Sequence, residues 1–320
     1  MLRVLRADVR KFEQAPVDLT DWRLPQDAVW IDLDNPTREE EVLVENQLGV
    51  LLPTREEMAE IEASSRLYQQ DGATIMTASV LYASESQTPT TEPITFALIA
   101  GKLVTIRYVE PHSLKVFAAQ VEKHAMTCAS GRAVFLSLLE AIVDRTADIL
   151  ERTGAEVEGL SRDVFARPRT RKFEDILAGL GHAQTIGAKV RESLVSLSRL
   201  VGYASLAAEL SDLPDARERL KTLTRDGQSL TDHASYVAGN VTFLLDAALG
   251  LINIEQNAII KIFSVAAVVF MPPTLIASIY GMNFHHMPEL DWRFAYPAAI
   301  CAMVVSAILP LLWFQKKGWL

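Results

Sequence analysis

The stretch AIIKIFSVAAVVFMPPTLIASIY, residues 258–280, runs for 23 residues with one charge, Lys261. A hydrocarbon core of about 30 Å is crossed by about 20 helical residues, so this run is long enough to span a bilayer. A second run, Phe294 to Phe314, has 21 residues and no charge, and only Gly281 to Arg293 separates the two. Two such runs in tandem read as a pair of membrane helices rather than as two core helices of a globular domain.

Lys261 stands at the start of the first run and Lys316-Lys317 follow the second, whereas the connection carries Glu289, Asp291 and a single Arg293. Positive charge collects on the cytoplasmic side, which puts both termini inside and residues 281–293 outside. Tyr280, Trp292 and Trp319 fall where an aromatic belt would sit. The expected location is the bacterial inner membrane.

Upstream the character changes. Of the 31 basic and 40 acidic side chains in the 320-residue chain, four basic and two acidic ones lie beyond Asn257, leaving a front part with a net charge near −11. An acidic body argues against nucleic acid as a partner, because phosphate binding needs a basic patch. It suits cations. Cys128 and Cys301 are separated between the front part and the second apolar run, so no disulfide is expected and a reducing compartment fits. The N-terminal Met1-Leu2-Arg3-Val4-Leu5-Arg6 lacks the apolar core of a secretory signal.

Val29 to Leu33 reads as a strand, and Thr37-Arg38-Glu39-Glu40 and Thr54-Arg55-Glu56-Glu57 as helix-starting capping boxes. Thr74 to Tyr82, Ile94 to Ala100 and Leu103 to Tyr108 read as further strands, the last two joined as a hairpin around Gly101-Lys102. From Arg132 to Arg167, and again from about Lys172 to Leu206, apolar residues recur at three- and four-residue intervals, with the proline-bearing turn 167–171 between. After Leu213-Pro214 a third helical pattern meets no proline until Pro272-Pro273, implying one helix of roughly 60 residues and about 90 Å.

The expected architecture is an α/β cytoplasmic domain over 1–125, a helical hairpin over 126–213 and a long helix over 214–280, whose membrane part is about 258–280. An external loop over 281–293, a second membrane helix over 294–314 and a basic tail over 315–320 complete it.

Along the long helix the smaller or more polar residues fall at Asp246, Asn253, Asn257, Ser264, Ala267, Met271, Thr274 and Ser278, with Gly250 and Ile260 filling the series. Gaps alternate four and three, a 3.5-residue period that keeps the stripe facing the axis of a left-handed bundle. Small and hydroxyl residues also serve as helix–helix glue, which is the competing reading for Ala267 and Ser278. Asn253, Asn257 and Asp246 point instead to a water-filled path. Two spans cannot enclose such a path alone, so a symmetric homo-oligomer is expected, the first span inside and the second outside. Pro272-Pro273 removes two backbone donors and is expected to kink the helix.

Tyr280-Gly281-Met282-Asn283, then Phe284 and Met287-Pro288-Glu289-Leu290, resembles the external loop of the CorA family of magnesium transporters. Ile61-Glu62-Ala63-Ser64-Ser65-Arg66, Asn253 to Asn257, Ile260 to Ser264 and Lys317-Gly318-Trp319-Leu320 are similar to the enterobacterial type. The resemblance implies a funnel-shaped homopentamer in lipid, its pore lined by the first span, which moves Mg2+, with Co2+ and Ni2+ as further ions. It assigns Asn283 to a ring of amide oxygens holding the hydrated ion, Gly281 to a tight turn, and Tyr280, Met282 and Glu289 to the same mouth. It places Asn257 in a ring near the cytoplasmic end, Ile260 and Phe263 in a hydrophobic constriction, Met271 at another narrow point, Thr274 in a hydroxyl ring and Asp246 in an acidic ring. Lys261, Lys316 and Lys317 would form a basic girdle. Regulatory Mg2+ is also implied, with Asp226 and Asp232 as candidates, although acidic residues on a long helix more often form its solvated face.

The chemistry agrees with that resemblance. Mg2+ gives up water reluctantly, so neutral amides that touch its water shell can hold it and release it. Two charges crossing 100 mV gain about 4.6 kcal/mol, enough to drive influx without ATP. The sequence has no Walker pattern, no HExxH and no GxSxG, so neither an enzyme nor an organic cofactor is expected. His285-His286 depart from the family's loop, where an acidic and an aromatic residue are usual. Imidazoles favour transition metals, so a zinc or cobalt transporter of the same architecture competes with a magnesium one. The two histidines also read as solvated loop residues. A membrane-anchored scaffold would explain the spans but not the stripe.

Overall fold

A computed structural model describes residues 1–7, 9, 11–86, 88–123, 129–166, 171–283, 285 and 287–318, with the side chain of Ala63 left out. Cys128, residues 167–170 of the expected turn, Phe284, His286, Trp319 and Leu320 lie outside the described residues. Contacts group the chain into two compact units, Met1–Leu245 and Asp246–Leu320.

The first unit is built on a seven-stranded sheet of order β2-β1-β3-β7-β6-β5-β4. Its strands are β1 (Leu2–Arg6), β2 (Glu13–Gln14), β3 (Ala28–Asp34), β4 (Leu67–Gln70), β5 (Ala73–Tyr82), β6 (Thr90–Ile99) and β7 (Lys102–Arg107). Strands β3 and β7 pair in parallel, and the other described pairs are antiparallel. Side chains alternate between two faces, as a pleated strand requires. Trp30, Met76 and Phe96 enter one apolar core, while Ile31, Ile75 and Ala97 enter the other.

Helices α1 (Arg38–Leu48), α2 (Arg55–Ala59) and α3 (Ala63–Arg66) follow β3. In the first two, Thr37 with Glu40 and Thr54 with Glu57 form complete capping boxes, each threonine and glutamate satisfying the other's exposed N–H. Val44 of α1 and Met58 of α2 are buried in the core with Ile31. The other core takes up α4 (His112–Lys123), α5 (Gly131–Phe165), α6 (Phe173–Ala204) and α7 (Ala208–Ser211). It also holds Ala216, Leu220 and Leu223 from the start of α8 (Pro214–Tyr280), so one face of the sheet shares its apolar core with these five helices.

The β6–β7 hairpin turns one residue earlier than the sequence suggested. Ile99 pairs with Lys102, and Ala100 and Gly101 occupy the turn with φ of 48° and 79°. A two-residue turn of this kind needs positive φ at both central positions. Gly131 packs against that turn so closely that a Cβ would collide with the Leu103 amide, while its own N–H donates to the Gly101 carbonyl at 2.9 Å. Strands β1, β2 and β4 and helix α4 had no distinct signal. The short β2 and β4 are edge strands.

Helix α8 has 67 residues, about 100 Å at 1.5 Å each, and contains Pro272 and Pro273 without ending. After a 3-10 turn at Pro288–Asp291 comes α9 (Ala295–Lys316). Both helices have stretches long and apolar enough to cross a membrane, and only 6% of each such stretch is buried within the chain. A core helix of a water-soluble domain would be covered.

Candidate functional site

In the second unit, α8 touches α9 along one face. Val265 and Val269 are buried with Phe314 of α9, Ala307 packs against them, and Lys261, Pro272 and Ile276 are half-buried on the same side. Taking about 100° per residue, the stripe from Asn257 through Ser278 lies roughly 140° around the helix from that face. Every member of the stripe is exposed: Asp246, Gly250, Asn253, Asn257, Ile260, Ser264, Ala267, Met271, Thr274 and Ser278. Phe263, beside it, is 71% exposed. The apolar partner helix has thus taken the side of α8 that the polar residues avoid.

Thr274 Oγ1 donates to the Phe270 carbonyl at 2.7 Å. Its hydrogen is committed to the helix, and its lone pairs remain as acceptors for water.

The expected mouth follows without a break. Tyr280 ends α8, the Gly281 N–H closes onto the Ala277 carbonyl at 3.0 Å and the Met282 N–H onto Ile279 at 3.3 Å. Gly281 is not in the left-handed region. A Cβ there would stand 3.2 Å from the Ala277 oxygen, a tight contact with the preceding turn. Asn283, His285 and Glu289 are exposed. Trp292 and Phe294 meet edge to face with centroids 6.2 Å apart. At the other end, Lys261 Nζ reaches the Gly318 carbonyl at 3.5 Å and Lys317 Nζ lies 4.5 Å from the Trp313 ring centre. Lys316 is exposed.

Asp226 and Asp232 lie on α8 in the first unit, both exposed. Six residues apart, they point roughly 120° from one another and are not brought to a common point. Asp232 accepts from Gln228 Nε2 at 3.2 Å. Asp226 instead faces acidic side chains of α5: burial, then Glu140, Asp148 and Asp226 in turn, raise the Asp144 carboxyl above its usual range. The sequence reading passed over Glu140, Asp144 and Asp148, whose spacing of four along a helix is their only signal. Glu140 is engaged by Arg219 at 2.7 Å. Among the described residues, no group of three or more His, Cys, Asp or Glu side chains is placed to hold a metal ion.

An α/β body, a very long helix carrying a polar stripe and two uncovered apolar spans are the features of a membrane protein. The description "CorA-like Mg2+ transporter protein" fits residues 25–317, and the chain belongs to that family. The magnesium transport protein CorA of Salmonella typhimurium is 37% identical over 296 residues, 92% of each chain, and that of Escherichia coli is 37% identical over 295 residues, with the same coverage. The complete structure of the CorA magnesium transporter from Methanocaldococcus jannaschii superposes with a TM-score of 0.76 over 100% of this chain and 99% of that one. At 18% identity, that likeness establishes the fold.

Proposed function

We propose that the chain is a magnesium transporter, and that Mg2+ crosses the membrane along the exposed stripe of α8 in a homopentamer. The observation that carries this reading is the angular separation between stripe and packing face. α9 covers Val265 and Val269 and leaves Asn257, Ser264, Thr274 and Ser278 uncovered, which in a ring of copies turns polar residues inward and α9 toward lipid.

In this reading Asn283, Gly281 and Tyr280 at the end of α8 take the hydrated ion, with Glu289 adding negative charge nearby. Thr274 lone pairs and the Asn257 amide accept or donate to the water shell along the path. Ile260, Phe263 and Met271 narrow it, and a hydrophobic constriction can gate by dewetting. Lys261, Lys316 and Lys317 mark the cytoplasmic side of a bacterial inner membrane, where the acidic body also lies. The membrane potential supplies the inward drive. Asp226 and Asp232 are the candidates for sensing internal Mg2+, and their divergent directions call for carboxylates from a neighbouring copy to complete any site.

His285, exposed beside the mouth, favours a second reading in which Co2+, Ni2+ or Zn2+ is carried by the same architecture. Metal uptake in Mg2+-depleted cells tests both. Saturable Mg2+ uptake, with Co2+ and Ni2+ as weaker competitors, supports the first. Failure of Mg2+ to compete with transition-metal uptake would overturn it in favour of the second.

A further inference from the structure

A cavity of about 590 Å3 opens in the first unit where the sheet, α6 and α8 meet, and its polar wall is positive in an otherwise acidic body. Arg66 enters from α3, and Arg191 and Arg199 from α6, two turns apart on one side of that helix. Arg66 is held by neutral groups: its Nε donates to the Glu60 carbonyl and its Nη1 to Ser79 Oγ at 3.0 Å. Ser79 donates its own N–H to Ser196 Oγ at 2.9 Å. Each hydroxyl therefore accepts one bond and keeps a hydrogen to donate into the cavity.

The acidic residue of the lining, Glu192, is already taken by Lys189 at 2.8 Å and by the Thr91 hydroxyl at 2.7 Å. Burial lowers the Arg66 pKa from its usual value, and the Arg199 charge adds to this against the opposing pull of Glu192. Three arginines line the cavity with one acidic residue beside them, less negative charge than would balance them. The rest of the wall is apolar: Ile61 is 88% exposed, Val195 38% exposed, and Ala234 and Ala238 of α8 form the far side.

We infer that this cavity is a binding site for an organic phosphate of nucleotide size, its phosphate held by Arg66, Arg191 and Arg199 and its apolar body lying against Ile61, Val195 and α8. Guanidinium groups match phosphate oxygens in paired hydrogen bonds, the two serine hydroxyls add neutral donors, and the volume falls within the ordinary range for small-molecule sites. The ligand would touch the sheet, α6 and α8 at once, so its occupancy bears on the helix that continues into the first span. The inference stands apart from which ion is carried.

Calorimetric titration of the full chain in detergent with AMP, ATP and inorganic phosphate, at fixed free Mg2+, tests it. Arg191 and Arg199 are exposed, so Arg191→Gln and Arg199→Gln leave the Arg66 ties and the fold in place. Each is expected to weaken AMP binding by about tenfold or more, the loss of one charge-assisted contact, while Lys221→Gln, which removes an equal charge on α8 outside the cavity lining, leaves it unchanged. No binding of any of the three probes to the unaltered chain would overturn the site, as would AMP affinity in both arginine variants unchanged from that of the unaltered chain. Inorganic phosphate binding as tightly as AMP would overturn the part assigned to the apolar wall.

Discussion

Arg107 grips Asp32 across the parallel strands β3 and β7, Nε to Oδ1 at 3.2 Å and Nη2 to Oδ2 at 3.1 Å, with both side chains 1% exposed. Thr105 Oγ1 donates to the same carboxylate at 2.8 Å while accepting from Trp30 Nε1, also at 2.8 Å, and Arg3 adds a further donor. Asp34 shares Arg107 at 2.9 Å. The pair ties β1, β3 and β7 together at the centre of the sheet. Its members lie 75 residues apart in the chain, so the knot closes only once the sheet has formed.

Removing one partner leaves the other buried and uncompensated. Asp32→Ala is expected to lower stability by about 3–5 kcal/mol, read as a fall in the midpoint of urea or thermal unfolding of the purified chain. A loss under about 1 kcal/mol would mean that Asp34 alone suffices for Arg107.

Burial pushes the Asp32 carboxyl up from its ordinary value of 3.8, and the charges and hydrogen bonds of Arg107 and Arg3 more than reverse this, holding it lower. A carboxylate with a depressed folded pKa contributes stability above its unfolded pKa and loses it as pH falls through the folded one. Stability is therefore expected to decline below about pH 4, and Asp32→Asn to flatten that part of the profile. Parallel unfolding series at stepped pH provide the measurement; identical acid slopes for the two chains would assign the loss to other carboxylates.

In a background with Cys128 and Cys301 replaced by serine, single cysteines at Ser264, Ala267, Met271, Thr274 or Ser278 are expected to react with a water-soluble thiol reagent. Cysteines at Val265 or Val269 should stay protected under α9. Labelling rates along α8 in membranes check this. A flat profile, or protection of the stripe instead, would reverse the assignment of inner and outer faces.

Asn283→Ala is expected to cut Mg2+ uptake by at least about tenfold, since the amide oxygen that meets the ion's water shell is lost. The mass in detergent should remain that of five copies. Near-normal uptake would remove Asn283 from the mouth, and a monomeric mass would defeat the enclosed path altogether.

Much of the architecture was legible because it is local. Helix α8 announced itself by the absence of proline between Pro214 and Pro272, the capping boxes at Thr37 and Thr54 by a four-residue pattern, and β5, β6 and β7 by their apolar runs. The edge strand β2 is two residues long and has no room for a pattern. The Ala100-Gly101 turn was displaced by one residue because alanine gives no hint that its φ will be positive.

The sequence by itself determined where the chain can cross a bilayer, where polar residues recur along α8, and which residues, Tyr280 to Asn283, close the first span. These are matters of composition and helical period, carried by neighbours within a few turns. Only the tertiary structure decided which valines α9 covers. Val265 and Val269 are buried, while Val268 between them is 44% exposed, although all three are the same residue type in the same apolar run. It also decided that β3 pairs with β7, and that Arg66, Arg191 and Arg199 meet in one cavity. The physical reason is distance along the chain: period and composition act locally, whereas partner choice depends on shape and charge complementarity between segments that meet only in the packed fold.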